Sequence, residues 1–193
     1  MALISIPEEK RTINDTAAIR DYLAPHGIWY ERWPLEERVD PNAPSEEILK
    51  AYDPEIKSLM KRGGYVVADV VNITNETPNL EALLDRFRKE HTHAEDEVRF
   101  ILRGNGLFHV HPESGPVYAI EVTAGDMINV PKGTKHWFDL CKDKTIRAIR
   151  LFQETSGWTP EYIENGVQGQ YAPLCFGPKE VAGHGAMPSA LKV

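Results

Sequence analysis

Apolar residues recur along this chain with two different periods, and the change of period divides it. Near the amino terminus the spacing is helical. Asn14 or Asp15 can cap a helix whose apolar side is Ile19, Tyr22 and Leu23, and Pro25-His26-Gly27 ends it, with His26 as a turn residue. Ile28 to Trp33 is aromatic and β-branched and predicts a short strand, after which Pro34, Pro41 and Pro44 mark an irregular stretch. Ser45 and Asp53-Pro54 predict two successive helix starts, and Gly63-Gly64 stops the second. The region of about 14–63 is therefore expected to be mainly helical.

From there the period of two takes over. Tyr65 to Ile73 is a nearly continuous β-forming run and predicts a core strand. Pro78 then begins a helix whose Leu80, Leu83, Leu84 and Phe87 follow the i, i+3, i+4, i+7 pattern. Beyond it, short strands are predicted over 97–103, 106–111, 117–122, 127–130, 134–140 and 145–152, with Asn105-Gly106 as a tight hairpin turn between the first two. Strands at this spacing predict a sandwich or barrel over about 65–155, in a mainly β chain with flanking helices. The last stretch, about 179–193, is Gly, Ala, Pro and Ser-rich, and is expected to be an irregular tail that includes His184.

The chain of 193 residues is expected to form one domain, 1–193. A net charge of -7 argues against a broad nucleic-acid surface. No apolar run approaches the roughly 20 residues of a membrane helix, and Met-Ala-Leu-Ile-Ser-Ile-Pro lacks the plan of a signal peptide, so a cytoplasmic protein is expected. Cys141 and Cys175 lie outside any Cys-x-x-Cys pattern, and in a reducing compartment they are expected to be free thiols.

The candidate chemistry lies in His91-Thr92-His93-Ala94-Glu95-Asp96-Glu97-Val98-Arg99-Phe100, with His136 after the Pro131-Lys132-Gly133 turn. Histidines two apart share a face of extended chain, about 7 Å apart at their backbones; on a helix they would diverge by about 200°. Four residues of straight strand would carry Glu97 about 13 Å past His93, so the chain must turn at Ala94-Glu95-Asp96 if both are to reach one ion. Arg99 shares the parity of Glu97 and brings a cation to the same face, which suggests an anionic ligand. His109 and His111 imitate the His-x-His pair, but no carboxylate or third histidine follows at ligand spacing, and they are expected on the exposed side of a hairpin.

The spacing His91-x-His93, three residues, Glu97, six residues, Gly104 resembles the first motif of the cupin superfamily, and Gly125, five residues, Pro131-x-Gly133, two residues, His136 resembles the second. Two positions depart from the motifs, Asp85 in place of a glycine and Leu140 in place of an asparagine; both concern turns and packing. With Glu-Val-Arg-Phe, Gly-Asp-Met-Ile-Asn-Val-Pro-Lys-Gly-Thr-Lys-His-Trp-Phe, Ala148-Ile149-Arg150-Leu151-Phe152 and Gly157-Trp158-Thr159-Pro160, the chain resembles the acireductone dioxygenase family over about residues 13 to 178.

The resemblance implies a cupin jelly-roll barrel with a helical amino-terminal region, and a monomer holding one Fe(II) or Ni(II) ion through His91, His93, Glu97 and His136. The donor set itself would also suit Mn(II) or Zn(II). The implied substrates are the acireductone 1,2-dihydroxy-3-oxo-5-(methylthio)pent-1-ene and O2. Arg99 is the expected counter-charge to the enediolate, Arg150 a second positioning residue or else an outward strand charge, and Phe87, Phe138 and Trp158 an apolar wall, each equally readable as core. Other cupins with the same ligands, such as sugar isomerases or other dioxygenases, and non-enzymatic metal-binding cupins are the competing classes.

Overall fold

A computed structural model describes residues 1–35, 38–154, 159–172 and 175. In chain order its elements are β1 (Leu3–Ile6), β2 (Arg11–Ile13), α1 (Thr16–Leu23), β3 (Trp29–Arg32), α2 (Ser45–Ala51), α3 (Asp53–Gly63), β4 (Val67–Ile73), α4 (Leu80–Asp85), β5 (His91–Thr92), β6 (Glu97–His111), β7 (Tyr118–Thr123), β8 (Asp126–Val130), β9 (Lys135–Leu140), β10 (Ile146–Phe152) and β11 (Glu161–Tyr162). Asp15 caps α1, its Oδ1 accepting from Ala17 N and Ala18 N at 3.0 and 2.9 Å. Gly64, in the left-handed region at φ 69°, ends α3.

The strand β6 belongs to two sheets. Its first half pairs with β8 on one side and β10 on the other, with β3 beyond β8 and β4 beyond β10. Its second half pairs with β7 and β9, in the order β11-β5-β9-β6-β7-β1-β2. The crossing falls where a hairpin is expected at Asn105-Gly106, and the structure corrects that expectation: 97 to 111 is one strand. The ladder to β10 shifts register between Arg147 and Ala148, and Gly104 takes φ 79°. A Cβ at Gly104 would also collide with the Thr145 carbonyl. A bulge and a hairpin use the same turn residues, so local chemistry does not separate them.

This extra residue reverses the facing of β6. Ile101 lies in the interior cluster between the sheets, and so do Phe108 and Val110, of opposite parity. Val98, Phe100 and Leu102 instead face a second cluster, where Ile48, Ile56 and Leu59 of α2 and α3 cover the outer side of the sheet. The two helices are thus a lid on one sheet face, and their apolar stripes are buried against it.

The short strand expected over Ile28 to Trp33 is present as β3, which pairs with β8, where buried Asp126 accepts from Tyr30 Oη at 2.7 Å and pairs with Arg32 at 2.7 Å. Other expectations are revised. β1 and β2, unanticipated, extend the second sheet beside β7. Among the described residues β4 pairs only with β10 and is half-buried, an edge strand and not a core one. His109 is buried and stacked on Trp137 with ring centroids 4.8 Å apart, and half-buried His111 reaches Glu90 Oε1 at 2.5 Å. The expected exposed hairpin side does not exist, because β7 and β9 flank the strand.

Cys141 and Cys175 are joined in a disulfide, with Cα atoms 5.6 Å apart, so the expectation of free thiols is overturned. The pair lies 34 residues apart, and only the fold brings the two together. Among the described residues, no helix is long and apolar enough to cross a membrane. Trp158, His184 and the expected tail of 179–193 lie outside the described residues.

Candidate metal centre

The site forms where three short stretches of extended backbone converge at one end of the two sheets. β5 pairs with β9 through His91 and His136 directly opposite each other. The chain then bends at Ala94 and Glu95, as the spacing requires, and Glu97 opens β6 opposite Val130 of β8. His91, His93 and His136 each offer a ring nitrogen, all within 4.8 Å of one another, and all three residues are buried. Glu97 Oε2 lies 3.0 Å from His136 Nε2 and 3.2 Å from His93 Nε2.

Each imidazole is oriented by a backbone carbonyl, a feature invisible in side-chain identity. His91 Nδ1 faces Lys89 O at 2.7 Å, His136 Nδ1 faces Thr134 O at 2.8 Å, and His93 Nδ1 faces Thr159 O at 3.3 Å. A carbonyl only accepts, so Nδ1 is the donor in each contact, and Nε2 is the ring nitrogen left clear of the carbonyl. Burial, with the neighbouring His136 charge, lowers the His91 pKa to about 4 and keeps its imidazole neutral. Burial alone would raise the Glu97 carboxyl, but the Arg99 charge and the contacts with His136 and His93 outweigh it and hold Glu97 well below the usual range.

These residues fit a divalent cation. A Glu97 oxygen within 3.2 Å of two imidazole nitrogens completes a mixed nitrogen and oxygen donor set that suits such an ion.

Arg99 stands two residues along the same face, as its parity predicts. Its Nη2 is 3.1 Å from Glu97 Oε1, and burial lowers its pKa to about 10. Arg150 lies directly opposite Arg99 on β10 and pairs with Asp69, which is opposite it in turn on β4. It therefore shares a sheet face with Arg99 while remaining 27% exposed at its side chain. Phe138 shares the face of His136 on β9, its ring 4.8 Å from that of Phe108, and its N–H donates to Phe87 O at 2.8 Å. Phe108, whose ring lies 6.4 Å from His136, belongs to the buried interior cluster beside the site and is not singled out in the sequence because it reads as core.

The sequence comparisons bear on this geometry. A family model described as the ARD/ARD' family matches residues 6–160. The chain belongs to the ARD/ARD' family. It is 44% identical over 167 residues to an acireductone dioxygenase of Picosynechococcus sp., covering 86% of this chain and 95% of that relative. It is 42% identical over 153 residues to an acireductone dioxygenase of Gluconobacter oxydans, covering 79% and 81%. Among solved structures, an acireductone dioxygenase from Bacillus anthracis with a cadmium ion in its active center matches at a TM-score of 0.79 and 37% identity, covering 84% of this chain and 98% of that one. This ARD/ARD' chain is thus a mainly β, cupin-type protein with a buried three-histidine group able to hold a metal.

Proposed function

We propose that this chain is an acireductone dioxygenase in which His91, His93, Glu97 and His136 hold one divalent ion and Arg99 faces the substrate. The observation that carries the reading is the Glu97 carboxylate, which shares one oxygen with His93 and His136 and gives the other to a buried guanidinium. An ion held by these four residues would supply Lewis-acid chemistry that polarises the enediol oxygens and favours their ionisation.

The remaining steps belong to the chain's own residues. Arg99 compensates the charge of the enediolate and fixes its orientation by charge-assisted hydrogen bonds, where a low-dielectric setting strengthens them. The register of Arg150, directly opposite Arg99, supports a second positioning role. Phe87, Phe138 and Phe108 form an apolar wall for the methylthio end in this reading. The walls exclude water from an electron-rich substrate while it reacts with O2, whose chemistry belongs to the metal and the substrate.

The ion is Fe(II) or Ni(II) in this reading, with one site in a monomeric, cytoplasmic protein. With Fe(II) the products are 4-methylthio-2-oxobutanoate and formate; with Ni(II) they are 3-methylthiopropanoate, formate and CO. The test is product analysis under air after metal removal and reconstitution with each ion. Oxygen uptake with the two product sets is expected. No turnover of acireductone with either ion would overturn the reading.

A further inference from the structure

The stretch from Glu95 to Glu97 carries three carboxylates, and only the last points into the cluster. Glu95 Oε2 accepts from Gln153 N and Glu154 N at 2.9 and 3.2 Å, at the end of β10. Asp96 turns the other way. Its Oδ1 accepts from Lys132 N at 3.0 Å and its Oδ2 from Tyr65 Oη at 2.9 Å, while Asn129 Nδ2 donates to that same Tyr65 oxygen at 2.9 Å. Tyr65 is buried, and a Cβ at Gly63 would run into its ring, so the glycine lets the phenol reach Asp96.

Lys132 belongs to the turn that leads into His136, whereas Asp96 belongs to the turn between His93 and Glu97. The two turns meet a second time, where Gly133 N donates to His93 O at 2.9 Å. One carboxylate and one backbone bond therefore join the two segments that contribute ligands, far apart in sequence and held on different strands. We propose that Asp96 is a positioning residue that latches these two segments together and so sets the spacing between Glu97 and His136 for tight binding of a divalent ion.

A carboxylate bonded to a backbone N–H makes a charge-assisted contact of fixed direction, which suits a brace more than a surface charge would. Outer-sphere partners of metal ligands commonly contribute ten- to a hundredfold to metal affinity. The proposal rests on the ligand assignment above, and Ni(II) titration of the metal-free full chain separates the two. Asp96→Ala is expected to weaken Ni(II) binding about ten- to a hundredfold and to alter the Co(II) absorption spectrum. Asp96→Asn, which keeps an acceptor for Lys132 N, is expected to stay within about threefold of wild type, since the backbone contact survives.

Tyr65→Phe removes one brace alone and carries the test should Asp96→Ala fail to fold; a loss of several-fold is expected. Wild-type affinity and an unchanged Co(II) spectrum in Asp96→Ala or, if that fails to fold, in Tyr65→Phe would overturn the latch, whatever happens to thermal stability. Failure of the wild-type chain to bind Ni(II) would instead overturn the ligand assignment, and the latch with it.

Discussion

Arg99 and Arg150 stand directly opposite one another on β6 and β10, and each has its own carboxylate: Glu97 at 3.1 Å and Asp69 at 2.5 Å. Two cations on adjacent strands repel, and each lowers the cost by pairing on its far side. The result is a row of charges across the sheet, Asp69, Arg150 and Arg99, that turns along β6 to Glu97 beside the three histidines. Arg150 is the more exposed of the two arginines, at 27% of its side chain against 14%.

This row predicts unequal roles. Arg99→Met should keep the metal, since the arginine is not a ligand and its loss removes a positive charge beside the ion. Turnover should fall roughly a hundredfold to a thousandfold, the usual loss for a charge-assisted contact to a developing anion, and part should return at higher pH as the free substrate ionises. Arg150→Met, with its charge already matched by Asp69, should lose about tenfold or less. Steady-state rates on variants of equal metal content check this. Full activity of Arg99→Met at neutral pH would show that substrate ionisation is handled elsewhere.

His109 predicts a pH-dependent stability outside the metal site. Its ring is buried against Trp137, no hydrogen-bond partner for its Nδ1 is found among the described residues, and burial lowers its pKa from 6.5 to about 4. Between those values the unfolded chain holds a proton that the folded chain refuses, so stability rises with pH across this window and falls as the solution is acidified. At 1.36 kcal/mol per pH unit the contribution is on the order of 3 kcal/mol. With chelator present throughout, thermal melts of His109→Phe should show a shallower decline from pH 6.5 to pH 4 than wild type. Parallel declines would mean that His109 is protonated in the folded state.

The disulfide makes a chemical prediction. Denatured protein assayed for thiols should show none before reduction and two after it, from Cys141 and Cys175. Closing a loop across 34 residues stabilises a fold by about 3–4 kcal/mol on chain-entropy arguments, so Cys141→Ser should lower the melting temperature. Two reactive thiols before reduction would restore the expectation drawn from the sequence.

The parts of the site legible in the sequence are those set by local geometry. His91 and His93 are two apart, Glu97 and Arg99 are two apart, and a period of two has one meaning on extended chain. The turn at Ala94-Glu95 follows from ligand distance alone. What could not be read is whatever depends on remote partners. The carbonyls of Lys89, Thr134 and Thr159 orient the imidazoles, and a carbonyl has no residue type. Gly104-Asn105-Gly106 suits a hairpin or a bulge, and only strands on both sides decide between them. β1 is four residues long and is stabilised by β7, over a hundred positions away. Phe108 looks the same whether it fills a core or lines a cavity.

The central claim is that one divalent ion is held by His91, His93, Glu97 and His136, and its most direct test is metal content. Wild type and His93→Ala, stripped of metal, loaded with Ni(II) and passed through a desalting column, should differ sharply by elemental analysis. Wild type should retain one ion per chain. The variant, with an unchanged circular dichroism spectrum, should retain a small fraction of that. One tightly held ion per chain in His93→Ala would contradict the account.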